Sequence, residues 1–162
     1  RQMCIRDRLN AILFEPEIAA NTGAIGRSCL ALGVRLWLVR PLGFRLDEKN
    51  LRRSGLDYWQ DVDVHVVDDY AGALAGCGTG RVWLMTTKGQ IAHWDATYAT
   101  GDTLVFGPES RGLPSWLLDS QLPEQKLRIP MSDETRSLNL ANAATVAIYE
   151  AARQLRPPFL VR

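Results

Sequence analysis

The sequence contains few of the residues that build disulfide frameworks and metal sites. Of its 162 residues only three are cysteine, an odd number, and no two of them form a C-x-x-C pair. This argues against a disulfide scaffold and fits a reducing cytosol, so we expect a cytoplasmic location. The imidazoles are limited to His65 and His93. With the cysteines scattered along the chain, we expect no metal centre.

Long apolar runs and a strong charge of one sign are also missing. No segment approaches the roughly 18 apolar residues of a membrane span. Residues 1–8 are charged and lack the apolar region of a secretory signal. We interpret them as a lead-in outside the fold; the alternative is an arm that contacts RNA. The net charge is +1, so any affinity for nucleic acid must come from local basic clusters.

The usual fingerprints of several enzyme classes are not found. There is no G-x-x-x-x-G-K-[ST] P-loop and no G-x-S-x-G nucleophile elbow. The first predicted strand is not followed by G-x-G-x-x-G, which makes an unknotted Rossmann-type enzyme a weak rival. P-loop and hydrolase chemistry therefore have no support in the sequence.

Apolar runs alternate with helical patterns along the chain. This predicts one α/β domain with a mostly parallel sheet and helices on both faces. We place the domain at residues 9–156, with a tail at 157–162. Strands are predicted at 9–14, 36–39, 62–66, 82–85, 103–106 and 127–129. Helices are predicted from a cap at Asn21 or Thr22 to Gly33, and at 47–54, 69–77, 114–118 and 137–155.

Glycine-bearing loops late in the chain predict a ligand site. Gly107 and Gly112 allow sharp turns and a close approach of a ligand to the backbone. Glu109 between them can accept hydrogen bonds from hydroxyls or hold the loop by capping amides. Strand ends at 85–87 and 129–131 would lie beside this loop, since ligands in open α/β sheets bind at the carboxyl ends of strands. The result is a slot for a flat base and a small sugar; the alternative is a set of tight turns without a ligand.

Three separated segments resemble the signature motifs of the SPOUT class of RNA methyltransferases. They are N-x-G-x-x-x-R at 21–27, F-G-x-E-x-x-G-L at 106–113, and I-P-M at 129–131 followed by S-L-N-L-x-N-A at 137–143. Three motifs in the right order form a specific pattern. The resemblance implies an α/β domain with a C-terminal deep trefoil knot that forms a pocket for S-adenosylmethionine.

Further segments narrow the resemblance. Residues 14–18, 51–58 and 86–89 are similar to the small tRNA 2′-O-methyltransferases that modify the wobble cytidine or uridine of leucine tRNAs. The similarity covers about residues 9–155, with Ala141 where these enzymes usually have serine. It implies methyl transfer from S-adenosylmethionine to a ribose 2′-hydroxyl of tRNA without a metal. It also implies a homodimer with active sites at the subunit interface. The small-faced helix at 137–155 would suit that packing or burial in its own domain.

The resemblance also implies roles for individual residues. Arg27 would act in catalysis, and we favour stabilisation of a developing alkoxide over a literal base, since a guanidinium stays protonated. The residues expected to contact the cofactor are Met85, Gly107, Glu109, Ile129, Met131, Ser137 and Leu138. The residues expected to contact RNA phosphates are Arg45, Lys49, Arg52, Arg53, Lys88, Arg111 and Arg136. The first four of these residues form a basic cluster, for which the alternative interpretation is a solvated helix face.

Two rival functions stay open at this point. One is 2′-O-methylation of another tRNA position or of ribosomal RNA. The other is a non-catalytic RNA-binding protein of the same fold, against which Arg27, Glu109 and Asn139 argue because they are all present.

Overall fold

A seven-stranded sheet forms the frame of the computed structural model, which describes residues 7–47, 49, 57–157 and 160. The strands are β1 (Asn10–Phe14), β2 (Arg35–Val39), β3 (Val64–Val67), β4 (Val82–Met85), β5 (Ile91–Ala92), β6 (Thr103–Phe106) and β7 (Lys126–Arg128). Their order across the sheet is β3-β2-β1-β6-β4-β7-β5, and the six pairings between neighbours are parallel. The predicted α/β fold with a parallel sheet is confirmed.

Helices cover both faces of this sheet, as predicted. They are α1 (Ala19–Leu32), α2 (Tyr70–Cys77), α3 (Ser115–Leu118) and α4 (Leu140–Leu155). On one face α1 packs against α4, and the hydroxyl oxygens of Ser28 and Thr145 lie 2.7 Å apart between them. On the other face α2 and α3 pack over the sheet.

Alternate residues of each strand supply the two cores. In β1, Ala11 and Leu13 face the side of α1 and α4, whereas Ile12 and Phe14 face the side of α2 and α3. A strand covered on both faces is apolar at every position, which is why the sequence shows continuous apolar runs instead of alternation.

The helix α4 packs on the sheet through alanines. Ala144, Ala147 and Ala151 are fully buried beside α1. Small side chains let the helix come close to its neighbours, so this face is used within the domain. Val146 and Tyr149 lie on the outside of the same helix, 43% and 49% exposed.

The predicted start of α1 is wrong. The helix begins at Ala19, so Asn21 and Thr22 lie inside its first turns and do not cap it. Ile18 occupies the cap position and has no side-chain acceptor to offer. A carboxylate from a distant loop fulfils that role, as the site geometry below shows, and no local pattern could reveal it.

The start of α4 and the strand β5 also differ from the prediction, and several other element ends shift by one or two residues. The helix α4 begins at Leu140 instead of residue 137, because Asn139 caps it: its side-chain oxygen accepts hydrogen bonds from the amides of Ala141 and Asn142. The strand β5 was not predicted, and it spans two residues only. The helix predicted at 47–54 falls almost entirely outside the described residues.

The late strand β7 lies between β4 and β5, both of which precede it in the chain. This insertion brings the carboxyl ends of β6, β4 and β7 side by side. It is compatible with the threading of a C-terminal segment, and the trefoil knot itself stays a prediction.

Arg8 is in contact with the fold. Its guanidinium donates to the carbonyl of Gly33 and to the carboxylate of Asp63, at 2.6 and 2.7 Å. Arg8, the last residue of the proposed lead-in, thus bonds to the domain, and the division into lead-in, domain and tail stays a prediction. Within the described residues, no helix has both the length and the apolar character to cross a membrane.

Candidate active site

A cleft of about 530 Å³ opens at the carboxyl ends of β4, β6 and β7. Its walls come from the loops that follow these three strands, at residues 86–88, 107–113 and 129–139. All seven residues predicted to contact a cofactor line it, namely Met85, Gly107, Glu109, Ile129, Met131, Ser137 and Leu138. The structure therefore brings together segments that are more than 50 residues apart in sequence, while their contact with a cofactor stays a prediction.

The loop after β6 closes tightly on itself. A Cβ atom on Gly107 would lie 2.4 Å from backbone atoms of Gly112 and Leu113, so no side chain fits at this position. Gly112 has a φ of 67°, in the left-handed region that favours glycine, and its amide donates to the carbonyl of Pro108 at 3.0 Å. The result is a compact backbone rim beside the cleft.

Glu109 holds the start of α1. Its carboxylate oxygens accept hydrogen bonds from the amides of Glu17 and Ile18, at 2.8 and 3.0 Å, and from the side-chain amide of Asn21 at 3.3 Å. A carboxylate is favoured here because the N-terminus of a helix carries unpaired amides and positive partial charge. Of the two roles predicted for Glu109, capping of amides is the one these bonds show.

The two loops are bonded in the reverse direction as well. The amide and hydroxyl of Ser110 donate to the carboxylate of Glu17, at 3.1 and 2.6 Å. Arg111 forms an ion pair with Glu15. The loop after β1 and the loop after β6 therefore hold each other, and the charge of Arg111 is compensated within the chain.

Asn21 connects all three motif segments. Its side-chain oxygen accepts a hydrogen bond from the side-chain amide of Asn139 at 3.0 Å, while its own amide donates to Glu109. Asn139 in turn caps α4. Sequence reasoning placed Asn21 at a helix cap and missed this bridging role. The signal was an amide side chain on the buried side of an otherwise apolar helix face.

Part of the cleft wall is apolar, and its side chains are partly exposed to the cleft. Leu138 is 39% exposed and Ile18 is 48% exposed, and both line the cleft. Ile129 and Met131 are half-buried on the same wall. Apolar side chains beside a rim of backbone groups suit a flat, uncharged ring attached to a sugar. Leu118 is a cleft residue that no sequence motif indicated, and Ile18 ends the segment 14–18 without having been assigned to the cleft.

Arg27 lies outside the cleft wall formed by the described residues. Its side chain is exposed, and its guanidinium carbon lies 5.0 Å from the centroid of the Tyr58 ring. The hydroxyl of Tyr58 donates to the carbonyl of Gly23 at 2.8 Å. Arg27 follows Asn21 by six positions in α1, which places it about 9 Å farther along the helix.

The predicted RNA-contacting residues fall into three groups. Lys88, Arg111 and Arg136 are exposed and line the cleft. Arg45 and Lys49 are exposed but lie away from its wall. The other two predicted contacts lie outside the described residues, namely Arg52 and Arg53. Across the described part of the chain, no group of three His, Cys, Asp or Glu side chains could hold a metal ion.

Comparisons with known proteins agree with this geometry. The sequence model of the SpoU rRNA methylase family matches residues 8–149. A relative from Photorhabdus asymbiotica subsp. asymbiotica, named tRNA (cytidine(34)-2′-O)-methyltransferase, is 50% identical and is matched over 91% of this chain and 94% of its own.

Two solved structures share the fold. One, described as giving structural insights into the 2-OH methylation of C/U34 on tRNA, has a TM-score of 0.85 and 44% identity over 93% of this chain and 98% of that chain. The other is the SpoU methyltransferase AviRb from Streptomyces viridochromogenes in complex with the cofactor AdoMet. Its TM-score is 0.77, with 27% identity over 93% of this chain and 59% of that chain. With a family match across most of its length and a relative at half identity, this chain belongs to the SpoU rRNA methylase family.

Proposed function

We propose that this protein transfers a methyl group from S-adenosylmethionine to the ribose 2′-hydroxyl of nucleotide 34 of tRNA, the wobble cytidine or uridine. The observation that carries the proposal is the single cleft formed by the loops after β4, β6 and β7. The names of the relative from Photorhabdus and of the C/U34 structure support the choice of nucleotide.

The cleft fits S-adenosylmethionine. Its volume of about 530 Å³ lies within the usual range for small-molecule sites. Leu138 and Met131 would pack beside the adenine, and the backbone at Gly107 and Ile129 would bind its polar edge and the ribose. The bound cofactor supplies an electrophilic methyl group. The AviRb complex with AdoMet supports this assignment.

Arg27 contributes a fixed positive charge to the substrate side of the reaction. A guanidinium keeps its charge across the physiological pH range, so it stabilises negative charge that develops on the ribose oxygen and binds the adjacent phosphate. Removal of the hydroxyl proton is left to solvent or to the substrate phosphate, because Arg27 has no free lone pair.

The RNA surface is built from basic residues at the cleft. Lys88 and Arg136 are exposed there and would contact phosphates on both sides of the target nucleotide. Arg111 contributes less than the sequence suggested, because Glu15 already pairs with it. Arg45, Lys49 and the remaining two arginines of that predicted cluster would extend the surface.

A homodimer completes this surface. The outward residues Val146 and Tyr149 on α4, together with Leu30 on α1, form exposed apolar positions on two helices that pack side by side. A second copy of the chain would cover them and would double the number of basic residues offered to one tRNA. Light scattering of the purified protein measures this directly, with twice the chain mass expected.

Leucine tRNAs are the proposed substrates and the cytoplasm the proposed location, on the basis of the resemblance in the motif segments. Both are tested by supplying the full chain to a strain that lacks wobble 2′-O-methylation and mapping its tRNA by mass spectrometry. The expected result is a ribose methyl at nucleotide 34 of leucine isoacceptors. Methylation confined to ribosomal RNA or to another tRNA position would contradict the proposal, as would RNA binding without any methyl transfer.

A further inference from the structure

Tyr58 and Trp59 contact α1 at three points along the helix. The Tyr58 hydroxyl donates to the carbonyl of Gly23 at 2.8 Å, and the Tyr58 ring lies 5.0 Å from the guanidinium carbon of Arg27. Between these points, Trp59 packs directly on Gly26, where a Cβ atom would lie 2.6 Å from the indole ring. No sequence motif assigned a role to Tyr58 or to Trp59.

We propose that Tyr58 is a positioning residue for Arg27, and this inference rests on the proposed function, in which Arg27 faces the ribose and its phosphate. The tyrosine fixes the arginine at two points. Its hydroxyl holds the backbone of α1 one turn before Arg27, and its ring lies against the guanidinium.

A ring partner suits an arginine that must bind substrate. Cation–π attraction acts through the face of the guanidinium and uses none of its five N–H donors. A carboxylate partner would occupy those donors, as Glu15 does for Arg111. Among the described residues, no carboxylate lies within ion-pair distance of Arg27. As far as the described part of the chain extends, the donors of Arg27 thus remain available to a phosphate or a developing alkoxide.

Tyr58 acts as a neutral phenol in this arrangement. Burial raises the pKa of its hydroxyl, the charge of Arg27 opposes that rise and Asp57 adds to it. The raised pKa keeps the proton on the oxygen, where it is needed for the bond to Gly23. It also argues against Tyr58 as a base in the reaction.

Two substitutions separate the ring from the hydroxyl. Tyr58→Phe keeps the ring under Arg27 but loses the bond to the Gly23 carbonyl, so kcat should fall only about twofold. Tyr58→Leu removes both the ring and the hydroxyl, and kcat should fall about tenfold. A cation–π contact at an exposed site accounts for up to about fivefold, and the lost hydroxyl for about twofold. Affinity for S-adenosylmethionine, measured by calorimetry, should be unchanged in both variants because neither Tyr58 nor Arg27 lines the cleft.

Trp59→Leu is the matched control for a purely structural effect. It removes an aromatic side chain that lies in the same segment and packs on the same helix α1, but it leaves the contact between Tyr58 and Arg27 in place. It should lower the melting temperature at least as much as Tyr58→Leu and reduce kcat less. The proposal would be overturned if Trp59→Leu and Tyr58→Leu lost kcat in the same proportion to their loss of melting temperature. A wild-type kcat in Tyr58→Leu would overturn it as well.

The coupling to Arg27 is tested in a double variant. In an Arg27→Ala background, Tyr58→Leu should lower the residual kcat by less than about twofold, because the guanidinium it positions is gone. An undiminished tenfold effect in that background would show that Tyr58 acts through another residue.

A readout without tRNA separates this inference from the proposed function. The NMR signal of the Arg27 Nε–H group should be displaced by the ring current in the wild type and in Tyr58→Phe. It should return to the position of an exposed arginine in Tyr58→Leu. An unchanged signal in Tyr58→Leu would refute the contact itself. If the wild type leaves nucleotide 34 unmethylated, the proposed function fails, and the NMR comparison still decides the positioning.

Discussion

The side-chain amide of Asn139 donates to the side-chain oxygen of Asn21 across 3.0 Å, although the two residues are 118 positions apart. Asn21 then donates to Glu109, which caps α1, while Asn139 caps α4. One chain of hydrogen bonds thus fixes the beginnings of two helices and the loop after β6. The cleft lies where these three segments meet, so its shape depends on that chain.

Asn139→Asp tests the link between the two asparagines. Aspartate keeps the oxygen that caps α4, but it has no amide proton to give to Asn21. We expect weaker binding of S-adenosylmethionine with a helix cap that is largely preserved. Asn139→Ala should lose the cap as well, at a cost of about 1 kcal/mol in the free energy of unfolding. Calorimetry and urea unfolding of both variants measure the two effects, and equal cofactor affinity in Asn139→Asp and the wild type would count against the link.

Glu109→Ala tests the cap of α1. The substitution leaves the amides of Glu17 and Ile18 without acceptors and should cost about 1–3 kcal/mol in the free energy of unfolding. Glu124→Ala serves as the control, since Glu124 is an exposed acidic residue that does not line the cleft. Urea unfolding compares the two. A similar, small loss in both variants would mean that water replaces the carboxylate at no cost.

Stability at acid pH depends on Glu150 in α4. Hydrogen bonds from Arg153 and Gln154 lower the pKa of this carboxyl from 4.5 to about 2, against the opposing effect of burial. Because the folded-state pKa is depressed, the stabilisation is complete above pH 4.5 and is lost as the pH falls towards 2. Glu150→Gln should therefore destabilise the protein at pH 7 and less so at pH 3. A pH-independent difference in urea unfolding between the variant and the wild type contradicts this assignment.

Glu15→Gln tests whether Arg111 is withheld from RNA. Loss of the carboxylate frees the guanidinium, which should raise tRNA affinity and steepen its dependence on salt by about one counterion. Asp68→Asn is a matched control, because it frees Arg40 from an ion pair away from the cleft. Binding measured at several salt concentrations distinguishes them. An identical salt slope in Glu15→Gln and the wild type would mean that Arg111 does not reach the RNA.

Much of the fold followed from the sequence because it depends on local patterns. Residues 82–85 and 103–106 are apolar runs between turn residues, and they form strands with those bounds. The cleft walls could be predicted because glycine loops after neighbouring parallel strands meet at one edge of a sheet.

What could not be predicted depends on contacts between distant segments. The start of α1 is set by Glu109, about ninety residues away, so the local caps at Asn21 and Thr22 were the wrong choice. The charge of Arg111 is visible in the sequence, but its pairing with Glu15 is not. Arg27 matches its motif, yet its position outside the cleft wall follows only from the geometry of α1.

Titration of S-adenosylmethionine into the full chain by calorimetry tests the central claim, that the loops after β4, β6 and β7 form one cofactor cleft. We expect one cofactor per chain for the wild type and for Arg27→Ala. Gly107→Ala should lose binding, because its methyl group would overlap the backbone at Gly112 and Leu113 and force the rim open. No measurable binding to the wild type, or full affinity in a folded Gly107→Ala, would contradict the account.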